Sequence, residues 1–406
     1  MADFATSHDA AVQAQLDRLA ALSPGGDQLG LERISALLER LGRPQDRLPP
    51  VFHVAGTNGK GSTCAFLRSA LEAAGHSVHV FTSPHLVRFN ERIRLAGKLI
   101  EDKYLASLLG RVLDAGGDIG ASFFEVTTAA AFLAFAEAPA DACVIEVGLG
   151  GRLDATNVIE QPLVCGIASL GIDHEAFLLA EEQGTPSEPL SRIGFEKAGI
   201  AKRGVPLVIQ RYPPPVEATI AAVADQVGAA LLIEGRDWHV DPALQPILSG
   251  PHQRSNASLA AAMIGAQDKL CVSADAIRNG VASASWAARF QRLADGQTWV
   301  DGAHNPAAAA ALAATLPKPM HIVLGILANK DAAAIVDALR PRALSLTFVP
   351  VTGHAHHDPA ELAARYDGHA ASSVEEALAA LPGPRLVAGS LYLAGQLLAA
   401  AGELPD

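Results

Sequence analysis

Cysteine, positive charge and long apolar runs are all scarce in this chain of 406 residues. Its four cysteines, Cys64, Cys143, Cys165 and Cys271, lie far apart and form no C-x-x-C pair. That excludes a disulfide framework and a thiolate zinc site, and the apolar setting of each predicts a reduced core thiol with no nucleophilic role. Lys and Arg number 31 against 43 Asp and Glu, for a formal net charge of −12. A general nucleic-acid or anionic-membrane surface is therefore not expected, and small molecules are the expected partners. No apolar run approaches the ~20 residues of a membrane span. The segment Met1-Ala2-Asp3-Phe4-Ala5 is not a basic stretch leading into an apolar one, so a cytoplasmic protein is expected.

What is plentiful is apolar sequence in short pieces. Half of the residues are hydrophobic and 18% are charged, the balance of a well-packed globular chain long enough for two domains. From about Ala10 to Leu41 the pattern is helical, interrupted by a Ser23-Pro24-Gly25-Gly26 turn. Strands are predicted at Val51–Ala55, Ser77–Thr82, Ala142–Val147, Leu163–Ser169, Pro206–Gln210 and Ala230–Glu234, with helical patterns between several of them. Such alternation predicts a doubly wound, mainly parallel sheet with ligands at the carboxyl ends of its strands. A second series, Thr298–Val300, Met320–Gly325, Ser345–Val351 and Arg385–Ala388, predicts a smaller C-terminal α/β domain. The boundary is expected between Ala284 and Gln297, dividing the chain into residues 1–287 and 288–406.

The densest signal is Gly56-Thr57-Asn58-Gly59-Lys60-Gly61-Ser62-Thr63, set directly behind Val51-Phe52-His53-Val54-Ala55. Glycines let backbone N–H groups curl around phosphate oxygens, a lysine adds positive charge, and hydroxyls suit Mg²⁺, so a nucleoside triphosphate site is predicted. The spacing departs from G-x-x-x-x-G-K-[ST]: Val54 occupies the first glycine position, and Gly61 separates Lys60 from Ser62. An amphipathic helix follows (Phe66, Leu67, Ala70, Leu71, Ala74, ending at Gly75), which completes the strand, turn and helix context.

Glu146 ends the apolar strand Ala142–Val147, where a charge needs a partner. Phosphate-bound Mg²⁺ is one candidate, and an ion pair with Arg152 is the alternative. Gly148-Leu149-Gly150-Gly151 lacks the G-x-G-x-x-G spacing of a dinucleotide site. Asp173 and His174 follow another strand end; on its own His174 reads more often as a hydrogen-bonded structural histidine than as a ligand, and its position beside the nucleotide site reverses that preference. Glu196 and Lys197, inside a helical pattern, read on their own as a solvated surface pair.

Taken in order, these motifs resemble the folylpolyglutamate synthase/dihydrofolate synthase family of Mur-type ligases. Besides the phosphate loop, the resemblance is carried by Leu29-Gly30-Leu31-Glu32-Arg33, Thr82-Ser83-Pro84-His85-Leu86, Phe123-Phe124-Glu125, the run Glu146 to Asn157, and Phe195-Glu196-Lys197-Ala198-Gly199-Ile200. It continues through His252-Gln253-Arg254-Ser255-Asn256-Ala257, Arg289-Phe290-Gln291 and Asp301-Gly302-Ala303-His304-Asn305-Pro306.

The resemblance implies a P-loop ATPase-like domain with pterin-binding elements, a Rossmann-like C-terminal domain for the glutamate and nucleoside side, and closure of the two around the reactants. It implies ATP binding by Thr57, Asn58, Gly59, Lys60, Gly61 and Ser62, and by Asn256, Arg289, Asp301 and His304. Ser83 and Glu146 would hold one Mg²⁺, with His174 and a carbamylated Lys197 serving a second. Gln28, Leu29, Gly30, Ser122, Phe123, Phe124, Glu125, Leu153, Asp154 and Ala155 would form the pterin side. Lys60, Glu146, His174 and Lys197 carry the catalytic roles. The implied partners are ATP, L-glutamate and 7,8-dihydropteroate or tetrahydrofolate, handled by a monomer.

Glu175–Ser191 is longer than the family pattern and is expected as a surface loop. His354, His356, His357 and Asp358 stand where many relatives carry Arg, and are also expected as an exposed loop and not a metal site. About 55 residues precede the phosphate loop. That is short for the extra domain of peptidoglycan ligases and favours the folate branch. A nucleotide switch is the rival class, on the strength of Asn329-Lys330-Asp331, which falls one residue short of N-K-x-D.

Overall fold

The computed structural model describes residues 5–22 and 29–405. The chain forms two compact units, one from the described residues up to Ile247 together with Arg254–Ala284, the other from Leu248–Gln253 together with Ser285–Pro405. The expected turn at 23–26 lies outside the described residues.

The first unit is built on an eight-stranded sheet: β1 (Val51–Ala55), β2 (Val78–Phe81), β3 (Ile93–Leu95), β4 (Lys98–Leu99), β5 (Ala142–Glu146), β6 (Val164–Ile167), β7 (Pro206–Ile209) and β8 (Ala230–Ile233). Their order is β4-β3-β2-β5-β1-β6-β7-β8. Neighbours from β2 to β8 are parallel, while β3 pairs antiparallel with both β2 and β4. Strands β1, β2, β5 and β6 are buried along their whole length. That is why they read as continuous apolar runs without alternation.

The β3–β4 hairpin escapes sequence detection because its strands are three and two residues long. Its turn, Ala96-Gly97, has both φ angles positive (44° and 87°), the tight geometry that matches strand twist. Helices Ala10–Leu22, Glu32–Arg40, Asp102–Gly116 and Phe123–Glu137 contribute buried side chains to one core with β2 and β5. On the sheet, Lys60–Ala73 packs against Ala274–Ser283 at backbone contact. A Cβ on Gly280 would lie 2.5 Å from both the Ala70 nitrogen and the Ser69 oxygen.

The second unit has six strands: β9 (Gln291–Arg292), β10 (Thr298–Val300), β11 (Met320–Leu324), β12 (Ala343–Phe348), β13 (His369–Ala370) and β14 (Arg385–Ala388). Their order is β13-β12-β11-β14-β10-β9, with only β9 antiparallel. The two-residue edge strands β9 and β13 carry no periodicity to read. Three cysteines are buried as expected, but Cys271 is exposed. It lies in the stretch between two helices, where its apolar neighbours do not form a core. Among the described residues no helix is long and apolar enough to cross a membrane.

Replacing Gly280 by Ala should destabilise the first unit by about 1–3 kcal/mol through overpacking. Denaturant unfolding followed by a probe in that unit checks this, and an unchanged midpoint would refute the close approach.

Candidate active site

Strand β1 runs between β5 and β6, so the turn after it opens at the middle of the first sheet. Two of its glycines are required by geometry. Gly56 (φ 150°) lies against Ala168, whose Cβ is 3.0 Å from where a Gly56 Cβ would stand. At Gly59 (φ 84°) the equivalent position is 2.5 Å from Asn256 Oδ1. The N–H groups of Thr57 and Asn58 donate to Ser169 O (2.8 and 3.1 Å), and the Thr57 hydroxyl donates to Gly171 O (2.9 Å).

Those donors therefore tie the turn to the segment after β6. The donors left to an anion belong to the first turn of helix Lys60–Ala73. There the N–H groups of Lys60, Gly61 and Ser62 precede the first intrahelical bond, from Thr63 N to Gly59 O (2.9 Å). Ser62 Oγ and Thr63 Oγ1 are buried with no hydrogen-bond partner among the described residues. Orphaned hydroxyls at a helix N-terminus fit a missing metal–phosphate ligand.

Glu146 ends β5 opposite Val54 of β1 and is 4% exposed. Lys60 Nζ lies 4.0 Å from its Oε1, and the Ser83 N–H donates to Oε2 (3.2 Å). Arg152, its alternative partner, pairs instead with Glu182 and Glu196. The surface-pair expectation for Glu196 and Lys197 is overturned, since both are buried on helix Pro189–Ala198 at 3% and 4% exposure.

Glycines explain that burial. A Cβ on Gly151 would meet Glu196 O (2.7 Å) and Lys197 Cα (3.0 Å), and Gly199 lies directly against Arg152. Lys197 Nζ reaches Gly150 O (3.4 Å). Burial, and next the charge of Lys60, lower its ammonium pKa to about 7, against the opposing pull of Asp173, Asp154 and Glu196. His174 takes a left-handed conformation (φ 54°), and its N–H donates to Asp173 Oδ1 (2.8 Å). The expected loop after it holds a helical turn, Glu175–Leu178, with Leu178 buried and Glu182 paired to Arg152 and Arg192.

On the other side of β5, Ser122 and Glu125 form a capping box at the start of helix Phe123–Glu137. Glu125 Oε2 accepts from the Ser122 N–H (2.7 Å) and from Arg33 Nε (3.0 Å), while its Oε1 is buried without a partner among the described residues. The Phe124 ring lies on Gly148, and the Phe123 ring faces the Arg92 guanidinium at 5.3 Å. Leu29, Gly30 and Leu153 are half-buried and Ala155 is buried. Gln28 lies outside the described residues.

Asp154 is engaged by its own loop, accepting from Leu149 N (2.8 Å), Thr156 N (2.9 Å) and Thr156 Oγ1 (2.5 Å). Having donated to Asp154, the Thr156 hydroxyl accepts from His53 Nε2 (2.8 Å), so β1 and this loop share one buried polar chain. Burial lowers the His53 pKa to about 3 and keeps the ring neutral. Sequence reasoning missed His53, whose only signal was a histidine inside an apolar strand.

Arg289, Asp301 and His304 belong to the second unit. Positive φ angles at Ala288 (53°) and Phe290 (47°) flank Arg289, a strained presentation of one side chain. Asp301 accepts from Phe290 N and Ala303 N (both 2.8 Å), and burial raises its pKa against the pull of Arg289. His304 Nδ1 lies 2.8 Å from Gly302 O. The three later histidines diverge: His354 stacks on Tyr392 (3.8 Å), His356 bonds to His354 O, and His357 bonds to Lys330 O. Asp358 caps the next helix. Among the described residues no three His, Cys, Asp or Glu side chains form a metal-binding group. Asp331 caps Ala332–Leu339 through Ala334 N (3.0 Å), a structural role for the residue behind the superficial guanine-reading motif.

A glycine turn behind a central parallel strand, half-buried Lys60 with buried Glu146 and Lys197, and a second α/β unit define an ATP-dependent ligase of the Mur type. Residues 288–393 match the family model described as Mur ligase, glutamate ligase domain. The folylpolyglutamate synthase of Lacticaseibacillus casei is 34% identical, over 89% of this chain and 92% of that protein. Among solved structures, Escherichia coli FolC in complex with DHPP and ADP superposes with a TM-score of 0.86 at 33% identity, covering 96% of this chain and 97% of that one. The bifunctional folylpolyglutamate synthase/dihydrofolate synthase of Yersinia pestis, complexed with AMPPNP and Mn ion, gives 0.85 at 31% identity, covering 96% and 98%. The chain belongs to the folylpolyglutamate synthase/dihydrofolate synthase family. The expected fold class holds for both units.

Two outcomes follow from the buried polar groups. Ser62→Ala should leave the stability of the ligand-free protein unchanged or slightly higher, because it removes an unsatisfied hydroxyl, yet weaken nucleotide binding about tenfold. Calorimetric ADP titration beside unfolding of the free protein separates the two effects.

His53 is neutral when folded and must gain a proton on unfolding below its ordinary pKa of about 6.5. Its contribution is therefore intact above that pH and is lost as pH falls towards about 3, with a slope of up to about 1.4 kcal/mol per unit. His53→Gln should show a shallower acid dependence of unfolding than the unmodified protein. Parallel curves would remove His53 from the account.

Proposed function

We propose that this enzyme adds L-glutamate to dihydropteroate, to reduced folylpolyglutamates, or to both, by way of an acyl phosphate, with release of ADP and phosphate. The observation that carries this reading is half-buried Lys60 with buried Glu146 and Lys197, beside a glycine turn whose following Ser62 and Thr63 hydroxyls have no partner among the described residues. The substrate carboxylate attacks the γ-phosphorus of ATP, and the amine of glutamate then displaces phosphate from the activated carbonyl. Lys60, at the start of its helix, stabilises charge on the transferring phosphoryl group, and the first-turn N–H groups orient it. No protein nucleophile is needed.

Ser83 and Glu146 would hold one Mg²⁺, with His174 and Lys197 serving a second. The bound ions would neutralise phosphate charge. The low ammonium pKa of Lys197 leaves a large neutral fraction near neutral pH, and the neutral amine is the form that combines with CO₂ to give a carbamate. Asn256 stands at the phosphate turn, while Arg289, Asp301 and His304 would serve phosphate and nucleoside from the second unit. The likeness to a FolC bound to DHPP and ADP, and the glutamate ligase domain match, support the assignment of the first unit to ATP and pterin and of the second to glutamate.

Purified protein should form the glutamate adduct of dihydropteroate only with ATP and L-glutamate together, and mass spectrometry of the products distinguishes single addition from chain extension. Lys60→Ala and Glu146→Ala should abolish transfer, whereas Lys197→Ala should regain turnover with acetate. Ordinary turnover in all three variants, or GTP hydrolysis independent of a pterin, would overturn the assignment.

A further inference from the structure

One charge cluster beside the site takes no part in the chemistry above. Arg152 follows Gly151 in the loop after β5, Arg192 and Glu196 are one turn apart on helix Pro189–Ala198, and Glu182 lies in the segment after His174. Buried Glu196 offers one carboxylate to two guanidinium groups, its Oε1 standing 3.0 Å from Arg152 Nη2 and 3.1 Å from Arg192 Nη2. With Arg192 5% and Arg152 27% exposed, a single negative charge leaves one of the two guanidinium groups unmatched at this partly solvated rim. Glu182 Oε2 supplies the second, 2.5 Å from Arg152 Nη2 and 3.0 Å from Arg192 Nη2.

The same segment makes two more attachments. Leu178 packs on Gly150, where a Cβ would be 3.0 Å from its Cδ2, and Leu178 O accepts from Arg192 Nε (3.1 Å). Residues 175–182 thus lie over Gly150–Arg152, fastened by one apolar and one ionic contact. From beneath, the loop is held by Asn157 Nδ2, which donates to Arg152 O (2.9 Å) and Gly199 O (3.0 Å).

We propose that residues 175–182 are a strap fixing the loop Gly148–Asn157 for its substrate, with Glu182 as a positioning residue acting through Arg152. The proposal rests on the assignment of Leu153–Ala155 to the pterin side. Without Glu182 the like charges of Arg152 and Arg192 repel, and Arg152, the more exposed of the two at 27% against 5%, turns to solvent and releases the backbone beside Leu153. Glu182 pairs with Arg152 and Arg192 and not with the turn after β1 that is assigned to the ATP phosphates, so nucleotide binding is expected to depend on the strap less than pterin binding does.

The test uses Glu182→Gln and Glu182→Asp in the full chain, with steady-state kinetics for dihydropteroate and ATP and hydrogen exchange of the ligand-free protein. Glu182→Gln should raise KM for dihydropteroate about fivefold while KM for ATP and kcat stay within about twofold. It should also accelerate exchange at residues 148–157 but not at 56–63, and Glu182→Asp should restore most of both effects. Unchanged exchange at 148–157, or an equal rise in both KM values, overturns the strap. If the unmodified protein ligates no pterin, the functional assignment fails by itself, and the exchange comparison still decides whether Glu182 fixes the loop.

Discussion

Charge buried at the carboxyl ends of parallel strands is the constraint on which the rest of the first unit depends. Glu146 and Lys197 are each about 4% exposed, and neither can stay ionised there without compensation. Lys60 answers Glu146 across 4.0 Å, and its charge in turn helps depress Lys197. The three side chains therefore form one electrostatic system in which a change at any member alters the other two. Such coupling suits a reaction whose phosphate charge must be met by groups already in place.

Close backbone packing is what allows that system to exist. Lys197 sits where it does because Gly151 lets the loop after β5 touch the helix at Glu196 and Lys197, and because Gly199 lets the helix end on Arg152. The polar chain from Asp154 through Thr156 to His53 then fixes the same loop to the strand that leads into the phosphate turn. Loop, helix and turn are consequently aligned by contacts that are independent of any ligand, which is the form of preorganisation that lowers a barrier to charge transfer.

How much could be read from the sequence depended on whether a feature is local. The buried strands β1, β5 and β6 were legible because parallel burial leaves continuous apolar runs. The phosphate turn was legible because Gly59 must be glycine for reasons that lie within the turn and against Asn256. The hairpin β3–β4 and the edge strands β9 and β13 were not, since two or three residues carry no period. Glu196 and Lys197 were misjudged because groups that answer their charges, Arg152 for Glu196 and Asp173 and Asp154 for Lys197, are distant in sequence. Cys271 misled in the opposite sense, its apolar neighbours belonging to no core.

The two ends of the site differ in legibility for a chemical reason. Phosphate is recognised largely by main-chain N–H groups and a cation, so its site imposes glycines and a lysine at fixed offsets. A flat heterocycle is recognised by surfaces and side-chain hydrogen bonds contributed from several segments. Glu125 illustrates the consequence: one carboxylate oxygen is spent on the cap at Ser122 and on Arg33, and the other is buried without a partner among the described residues. A sequence can mark Glu125 as a carboxylate near a helix start, but the division of labour between its two oxygens is a property of the folded chain. On the proposed assignment, specificity for the carboxylate substrate would rest on the orientation of a few half-committed groups, while the commitment to ATP would rest on the backbone.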